Sequence, residues 1–596
     1  MTSAGLRAAA AALLLIGWLA ANHETRGLVE GPPRWLSAHT LATLRGYAAW
    51  GVGPTLGANV ILPRSAEAAP ASDHTPGAPA HGPALRSLGK LEGAYLSYPS
   101  LWSVLVFGVW QVLGSPPPEA FLAALGQVVV GLGGALALFE LAWACLALVA
   151  PQRLPPAGAA LAALAAGLAW VTSPPILYYG RYEVFTDALV LPACLLAAAV
   201  ATRARFRLAG LGPWRGLALA GAGLLAWGTE WLGWLTMGVI GVGFAWRGRD
   251  AGRGGALLRA AWPLWAPMGL AVGLYAAQLG WFSAGWSDML ATFAQRGPGR
   301  TLDNGVALTG SLVAGVLASH LAAAAPGGLR EGLGAWGQTL LGEAVAGPGA
   351  VVVLLGTASL AVVGWRLRTH VKDRGAWGWA LAAVGLPPVL HMALLLQHAC
   401  VHRFAALRWV ALLAVLLVAL PLAAALGRGQ GRWPRALTGV VLALGAGWLW
   451  LARPAMAAFA PPGNPLPAAI ATLLAAHVGP REVALSWDLA FDGMHPEPLW
   501  LANRLVHTPP QLRRLLPKLD PGTVAGMTPV LLAWAEGPSR HVWGPLPPGA
   551  RWEELPTPVL GRRVVLARLK GQTGRLDAWL PAETPPGTAT PTGGLQ

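Results

Sequence analysis

Residues 121–149, FLAALGQVVVGLGGALALFELAWACLALV, decide the fold. Glu140 is the one charged residue in this stretch, and nearly all the rest is apolar. A helix of about 20 apolar residues crosses the hydrocarbon core of a bilayer. In lipid the backbone amides and carbonyls must be bonded within the segment itself, which a helix achieves. The stretch therefore predicts a membrane-spanning helix.

Similar stretches recur along most of the chain, which predicts an all-α polytopic membrane protein. Of its 596 residues, 55% are hydrophobic and 11% are charged, and the mean hydropathy is +0.51. Soluble domains carry about 25% charged residues. We predict about eleven spans, the first over Leu6–Ala21. The others are predicted at roughly 119–150, 156–176, 188–202, 212–228, 231–246, 257–281, 344–365, 376–396, 404–426 and 436–454.

The positive charges collect in alternate short loops, and the opposite short loops hold chiefly Arg181, Arg403 and Arg408. Cytoplasmic loops carry the excess of Lys and Arg in membrane proteins. This asymmetry predicts a cytoplasmic N-terminus and an outer C-terminal tail, in what is expected to be a bacterial inner (plasma) membrane. The basic loops lie around Arg153, 203–207, 247–253, 366–374 and 428–435.

Several function classes are disfavoured by the sequence. The net charge of +16 lies largely in these loops, and no basic run is interleaved with aromatics, so nucleic acid is not predicted as a partner. The sequence has no Gly-rich phosphate loop and no Ser-His-Asp arrangement, so nucleotide-driven chemistry is unsupported. The three cysteines lie far apart and predict neither a disulfide framework nor a zinc site: Cys145, Cys194 and Cys400.

Composition divides the chain into five regions. Within them, Pro99–Gly114 is apolar but too short to span, and we predict an interfacial helix there. Strands at Val483–Trp487 and Val564–Leu569, with helices at Pro467–His477 and Pro510–Leu516, predict a small C-terminal α/β domain. The regions are a first span (1–21), an outer loop with interfacial helices and a poorly ordered middle (22–118), a multi-span domain (119–455), a soluble outer domain (456–580) and a disordered tail (581–596).

Ionisable residues near a membrane surface are candidates for function, because placing them there is costly. The first candidate motif, Asn22–Arg26, follows the first span, and Glu24 is placed to act as a general base towards a hydroxyl. The second, Ser173–Asp187, packs Tyr182, Glu183 and other polar residues between two spans. A role without function in catalysis or binding stays open for each motif. The first would be a solvated juxtamembrane charge, and the second an aromatic belt with snorkelling charges.

In the second motif, Arg181 suits a phosphate, because the guanidinium offers a planar fork of donors. Asp187 suits a divalent cation or a sugar hydroxyl. A third motif, Gln397–Arg403, places His398 and His402 four residues apart, as in a metal pair on a helix. We favour His402 and Arg403 on a lipid phosphate, with a plain loop as the alternative. His391 is interpreted as a core histidine.

The order of these motifs resembles the GT-C membrane glycosyltransferases, specifically the protein O-mannosyltransferase and aminoarabinose transferase group (glycosyltransferase family 39-like). Glu24 matches an acidic pair that follows the first span in that family, with His23 in place of the usual Asp and Glu30 as the reserve. Ser37–Tyr47 resembles the first interfacial helix of the family, and Tyr98-Pro99-Ser100-Leu101 its His-Pro-Pro-Leu motif.

Two further elements carry the resemblance. Tyr179–Asp187 resembles the second outer loop, where the Asp of the family matches Asp187. Thr229-Glu230-Trp231 stands where the family has Thr-Lys-Gly, so Glu230 reverses a charge.

The resemblance implies transfer of a hexosyl or pentosyl group from a polyprenyl-phosphate donor to a glycan, lipid or protein acceptor at the outer face. Glu24 and Asp187 would be the catalytic residues, and Mg²⁺ or Mn²⁺ stays open as a cofactor. The alternatives are a transporter or flippase of lipid-linked glycans, and a non-catalytic envelope assembly protein. The absence of an internal repeat disfavours a transporter. Expected substrate contacts are His23, Arg26, Tyr98, Arg181, Tyr182, Glu183, His398, His402 and Arg403.

Overall fold

A computed structural model gives the fold. It describes residues 2–24, 35–61, 86, 94–149, 154–248, 261–296, 371–394, 407–420, 422–423, 465–479, 482–486 and, further on, short stretches up to residue 569, chiefly 528–536, 548–556 and 561–569.

The chain divides into two compact units. The first comprises Met1–Glu30, Ala120–Tyr275 and Leu290–Pro461, and the second comprises Gly31–Glu119, Ala276–Met289 and Pro462–Gln596. The helices, in chain order, are α1 Ser3–Glu24, α2 Trp35–Trp50, α3 Leu101–Val112, α4 Pro118–Leu146, α5 Pro156–Val171, α6 Pro174–Tyr179, α7 Thr186–Arg203, α8 Gly212–Trp227, α9 Trp231–Arg247, α10 Trp262–Trp281, α11 Gly285–Arg296, α12 Arg374–Leu394, α13 Leu407–Leu413 and α14 Pro465–His477.

Three of the described helices are long and apolar enough to cross a membrane: Ala4–His23, Pro118–Leu146 and Thr186–Arg203. The other predicted spans that the structure describes also lie on helices, and the spans at 344–365 and 436–454 lie outside the described residues. The total of about eleven spans stays a prediction. The predicted span 156–176 is wrong at its end, because α5 stops at Val171 and the Pro174-Pro175 pair starts a new helix.

In the first unit, α4 contains a π-helical turn at Gln127–Gly133. Indole N–H groups from two other helices donate hydrogen bonds to two carbonyls of this turn. The Trp18 Nε1 of α1 donates to the Gln127 carbonyl at 2.9 Å. The Trp170 Nε1 of α5 donates to the Val130 carbonyl at 2.8 Å. A π turn disturbs the regular helical bonding, and these bonds tie α1 and α5 to one point of α4. The register of α1, and with it the position of Glu24 at its end, is thereby set.

Helix α7 lies in the interior of the first unit, and most of its side chains are buried. It packs against α4, α8, α9 and α12. Its first turn carries Asp187 and its last residue is Arg203. Charged groups at its two ends can therefore be fixed by neighbouring helices.

In the second unit, α2 packs against α3 and against the strand β1 Asn59–Val60, which pairs antiparallel with β2 Ala94–Tyr95. The Tyr47 hydroxyl donates to the Gly57 carbonyl at 2.6 Å. The Gln278 amide donates to the Leu56 carbonyl at 2.8 Å. The predicted helices Ser37–Tyr47 and Pro99–Gly114 are thus confirmed as helices, and their interfacial position stays a prediction.

The second unit also contains a five-stranded sheet of order β4-β3-β5-β7-β6, made of β3 Glu482–Leu485, β4 Val506–His507, β5 Thr528–Trp534, β6 Glu553–Glu554 and β7 Val564–Arg568. Strands β3, β4 and β5 run parallel, and β7 is antiparallel to β5 and β6. Helix α14 buries Ile470 and Leu474 with strand residues such as Val530. The two predicted strands and the Pro467–His477 helix are confirmed, whereas the central strand β5 was not predicted.

The orientation of the chain can be tested at Lys372, which is exposed and lies two residues before the start of α12. Its amide donates to the Leu148 carbonyl at 2.9 Å, so the position is ordered. In a protein without native cysteines, Lys372→Cys is expected to resist an impermeant thiol reagent in intact cells and to react after permeabilisation. Arg551→Cys, whose native side chain is 85% exposed in the predicted outer region, is the positive control. Labelling of position 372 in intact cells would show that the predicted topology is wrong.

Candidate active site

The turn at residues 180–185 between α6 and α7, predicted to lie at the outer face and here called the outer turn, packs against aromatic residues of α6. The Tyr182 amide donates to the Tyr178 carbonyl at 2.7 Å. The Tyr178 hydroxyl donates to Glu183 Oε1 at 2.9 Å, and both side chains are buried. Gly180 lies against Gly126 of α4, where a side chain at position 126 would collide with the Gly180 carbonyl. The turn is therefore a fixed part of the first unit.

Arg181 connects this turn to the end of the first helix. Its Nη1 donates to the Asn22 carbonyl at 3.0 Å across a sequence separation of 159 residues. Its guanidinium also lies 5.5 Å from the centre of the Tyr182 ring. Asn22 immediately precedes His23 and Glu24, the last residues of α1. The structure thus brings together two of the three predicted motifs.

Among the described side chains, the exposed part of this junction carries a positive charge at Arg181. Arg181 is partly exposed, and no carboxylate among the described side chains forms a salt bridge with it. Apart from the Asn22 carbonyl, no described group accepts a hydrogen bond from its guanidinium, whose remaining N–H donors suit an anion from solution or from the membrane surface. His23 is exposed beside it. The described part of the junction therefore suits a phosphate group.

A second polar group, the buried charge cluster of Asp187, Glu230, His391 and Arg408, lies within the helices of the first unit. Arg408 of α13 bonds Asp187 at the start of α7 and lies 3.9 Å from Glu230 Oε1. His391 Nε2 of α12 lies 3.2 Å from the same Glu230 oxygen. The four side chains are at most 7% exposed. The cluster fastens the beginning of α7 to two later helices.

Glu230 also caps a helix. Its Oε2 accepts a hydrogen bond of 2.6 Å from the Leu232 amide at the start of α9. Burial opposes the ionisation of Glu230, but His391, Arg408 and this amide together outweigh it and hold the pKa of Glu230 below its usual range. Glu230 is therefore a carboxylate at neutral pH, suited to structural pairing and too weakly basic for general-base catalysis.

The residues predicted to form the site do not all lie together in the structure. Asp187 is paired with Arg408, and its predicted role towards an acceptor or metal stays a prediction. Among the described residues, no group of three or more His, Cys, Asp or Glu side chains is placed to hold a metal ion. Tyr98 belongs to the second unit, where its ring contacts Tyr95 edge-on at 5.2 Å. Arg26, His398, His402 and Arg403 lie outside the described residues, as do the reserve base Glu30 and the side chain of Glu24.

The sequence did not identify the buried charge cluster as a unit. Arg408 was counted as a loop cation, but it lies inside α13 and is buried. His391 is a core histidine as predicted, and its contact with Glu230 was not foreseen. An available signal was the presence of ionisable residues beside or within apolar segments, where a charge must find a partner.

These observations define the described part of the chain as a helical membrane protein with the buried charge cluster inside its helical unit and an arginine-bearing turn at the end of its first helix. No protein-family model and no curated protein matches the sequence.

Solved structures similar to this chain include two of ArnT from Cupriavidus metallidurans. The structure bound to undecaprenyl phosphate is 11% identical, with a TM-score of 0.49, covering 96% of this chain and 99% of that one. The apo structure is 14% identical, with a TM-score of 0.37, covering 95% and 98%. ArnT is a GT-C aminoarabinose transferase, from the group that the motif order resembles.

Proposed function

We propose that this protein is a membrane glycosyltransferase that takes a sugar from a polyprenyl-phosphate donor and transfers it to an acceptor at the outer face of the membrane. One observation carries the proposal, the hydrogen bond from Arg181 to the Asn22 carbonyl. It places a group suited to phosphate beside the helix end that carries the candidate base Glu24.

The chemistry of such a transfer needs both groups. The acceptor hydroxyl attacks the anomeric carbon of the sugar and gives up its proton, which a carboxylate such as Glu24 accepts. The bond between that carbon and the phosphate oxygen breaks, and the phosphate of the polyprenyl chain leaves with an additional negative charge. The Arg181 guanidinium is suited to stabilise this charge as it develops.

The surrounding structure supports fixed positions for these groups. Trp18 holds α1 on the π turn of α4, four residues before Asn22. The Asn22 side chain also donates to the Trp18 carbonyl at 2.9 Å. On the other side, Arg408 holds Asp187 at the start of α7, directly after the outer turn. Both segments are thus anchored before any substrate binds, which lowers the cost of orienting reactants.

The phosphate assignment is tested with Arg181→Met and polyprenyl phosphate as the probe. A lost hydrogen bond to a charged group costs about 1.5–3 kcal/mol, so the Kd is expected to rise about 10- to 100-fold. The measurement is a binding titration of the purified protein in detergent micelles, with thermal unfolding to confirm folding. Arg551→Met removes an 85% exposed arginine from another unit and serves as the matched control.

Two outcomes are decisive, one from this titration and one from the titration combined with assays of sugar transfer and of lipid movement in vesicles. Equal affinity of the folded Arg181→Met variant and the unaltered protein would remove Arg181 from the donor site. Tight binding without any sugar transfer, together with movement of the lipid-linked sugar between leaflets, would favour the flippase alternative.

A further inference from the structure

A second charged site lies at the far end of α7 from Asp187, about 25 Å away along the helix. There, three helices meet on one carboxylate. Arg7 of α1 donates its Nε to Glu140 Oε1 of α4 at 3.0 Å, and Arg203 of α7 bonds Glu140 Oε2. The guanidinium carbons lie 4.9 and 5.8 Å from the centre of the Trp143 ring. Two cations therefore share one anion, which leaves a positive charge without a partner among the described residues.

The connection between α7 and α8 adds further cations. Arg205 and Phe206 both have φ near +54°, a conformation that non-glycine residues adopt at a cost. Phe206 is fully buried and packs against Phe244 and Trp379, with ring centres 5.7 and 6.4 Å away. This burial holds the connection in its shape, with Arg205 and Arg207 exposed on either side of the buried ring.

Arg215, near the start of α8, completes the group. It donates to the Gly210 carbonyl at 3.0 Å, and its charge acts on Arg203. The neighbouring Trp214 is 81% exposed, and Leu217 is 53% exposed. Exposed tryptophan beside arginine is typical of the interface between lipid headgroups and acyl chains. We call the set Arg7, Arg203, Arg205, Arg207 and Arg215 with Glu140 the arginine cluster.

We propose that the arginine cluster binds the phosphate of an anionic phospholipid headgroup. Arg7 and Arg203 both bond Glu140, and Arg205, Arg207 and Arg215 follow Arg203 in the chain, so cations outnumber the one acid in the arginine cluster. Arg7 and Arg203 are oriented by Glu140 and keep guanidinium N–H groups that no described residue bonds. Exposed Trp214 and Leu217 suit the acyl region of the same lipid. This binding site is separate from the outer turn and does not depend on the proposed transfer reaction.

A bound lipid would act as a bridge between helices. Arg7 belongs to α1, Arg203 to α7 and Arg215 to α8. Glu140 balances one of these charges, so the remaining positive charges on the helices still repel one another, and a phosphate placed among them adds attraction. We therefore expect the lipid to stabilise the folded protein by mass action.

The experiment compares the binding of phosphatidylglycerol, phosphatidylcholine and inorganic phosphate by the purified full-length protein, using native mass spectrometry and thermal unfolding. The double variant combines Arg205→Asn with Arg215→Gln and removes two positive charges. Asparagine is chosen at position 205 because it tolerates the positive φ there. Each arginine near an anionic surface contributes about fivefold in affinity, so the double variant is expected to bind phosphatidylglycerol about 25-fold more weakly. Arg551→Gln is the charge-matched control.

The expected result is saturable stabilisation by phosphatidylglycerol alone, lost in the double variant and kept in Arg551→Gln. Polyprenyl phosphate binding is a second readout. Adding Arg181→Met to the double variant should weaken this binding as much as it does in the unaltered protein, which separates the two sites. Three results would each overturn the lipid site. They are binding of phosphatidylcholine as tight as that of phosphatidylglycerol, an affinity for phosphatidylglycerol that the double variant retains in full, and equal stabilisation by inorganic phosphate.

Discussion

Replacing Glu24 with glutamine is expected to cut glycosyl transfer at least about 100-fold, because general-base assistance contributes roughly 10²–10⁴-fold in rate. Glutamine keeps the shape of the side chain and removes its basicity. Binding of the lipid donor should stay nearly intact, since the phosphate is assigned to Arg181 and not to Glu24. The measurement is transfer by purified protein in detergent with its lipid-linked donor, beside a donor-binding titration.

Glu30→Gln is the matched control and is expected to have a mild effect. It makes the same chemical change six residues further along the chain. Normal turnover in Glu24→Gln combined with loss in Glu30→Gln would move the base to Glu30. Normal turnover in both variants would remove the general base from the first motif and favour the transporter.

Replacing Arg408 with methionine is expected to destabilise the protein by about 3–5 kcal/mol, because it removes the cation that bonds a buried carboxylate. Arg408 bonds Asp187 and lies 3.9 Å from Glu230, and all three side chains are at most 7% exposed. Among the described residues, His391 still contacts Glu230, and Asp187 loses its ion pair with Arg408. The measurement is thermal or denaturant unfolding of the purified protein together with its level in membranes.

Arg247→Met provides the comparison. Arg247 bonds Asp373 at 2.6 Å, but the two side chains are 17% and 14% exposed, so hydration compensates part of the loss. Asp187→Asn combined with Arg408→Met should cost less than Arg408→Met alone, since it also removes the buried carboxylate that Arg408 bonds. If Arg408→Met cost no more than Arg247→Met, the buried charge cluster would not hold the start of α7.

The helices could be predicted from the sequence, because the hydropathy of a single segment indicates whether that segment can cross a membrane or pack inside a helical bundle. Helix α7 is an example, with the prediction of 188–202 against Thr186–Arg203 in the structure. The π turn of α4 could not be predicted, because it depends on indole donors from Trp18 and Trp170 in other helices. Strand β5 was missed although it is the central strand, since a run of seven residues is weak evidence beside long apolar helices.

The candidate site was predictable in part. The loop charges placed the first and second motifs on one face of the membrane, and the contact between Arg181 and Asn22 agrees with that prediction. The pairing of Arg408 with Asp187 spans 221 residues and arises only when α7 and α13 pack together. Sequence patterns report local preference, so a partner so distant in the chain could not be read from them.

The central claim, sugar transfer from a polyprenyl-phosphate donor, is tested most directly by mass spectrometry of lipid-linked sugars in membranes. Membranes lacking the protein are compared with membranes that contain the unaltered chain or Glu24→Gln. We predict that one polyprenyl-phosphate sugar accumulates without the protein, stays high with Glu24→Gln and falls when the unaltered chain is restored. A pool of lipid-linked sugars that is the same in all three membranes would contradict the account.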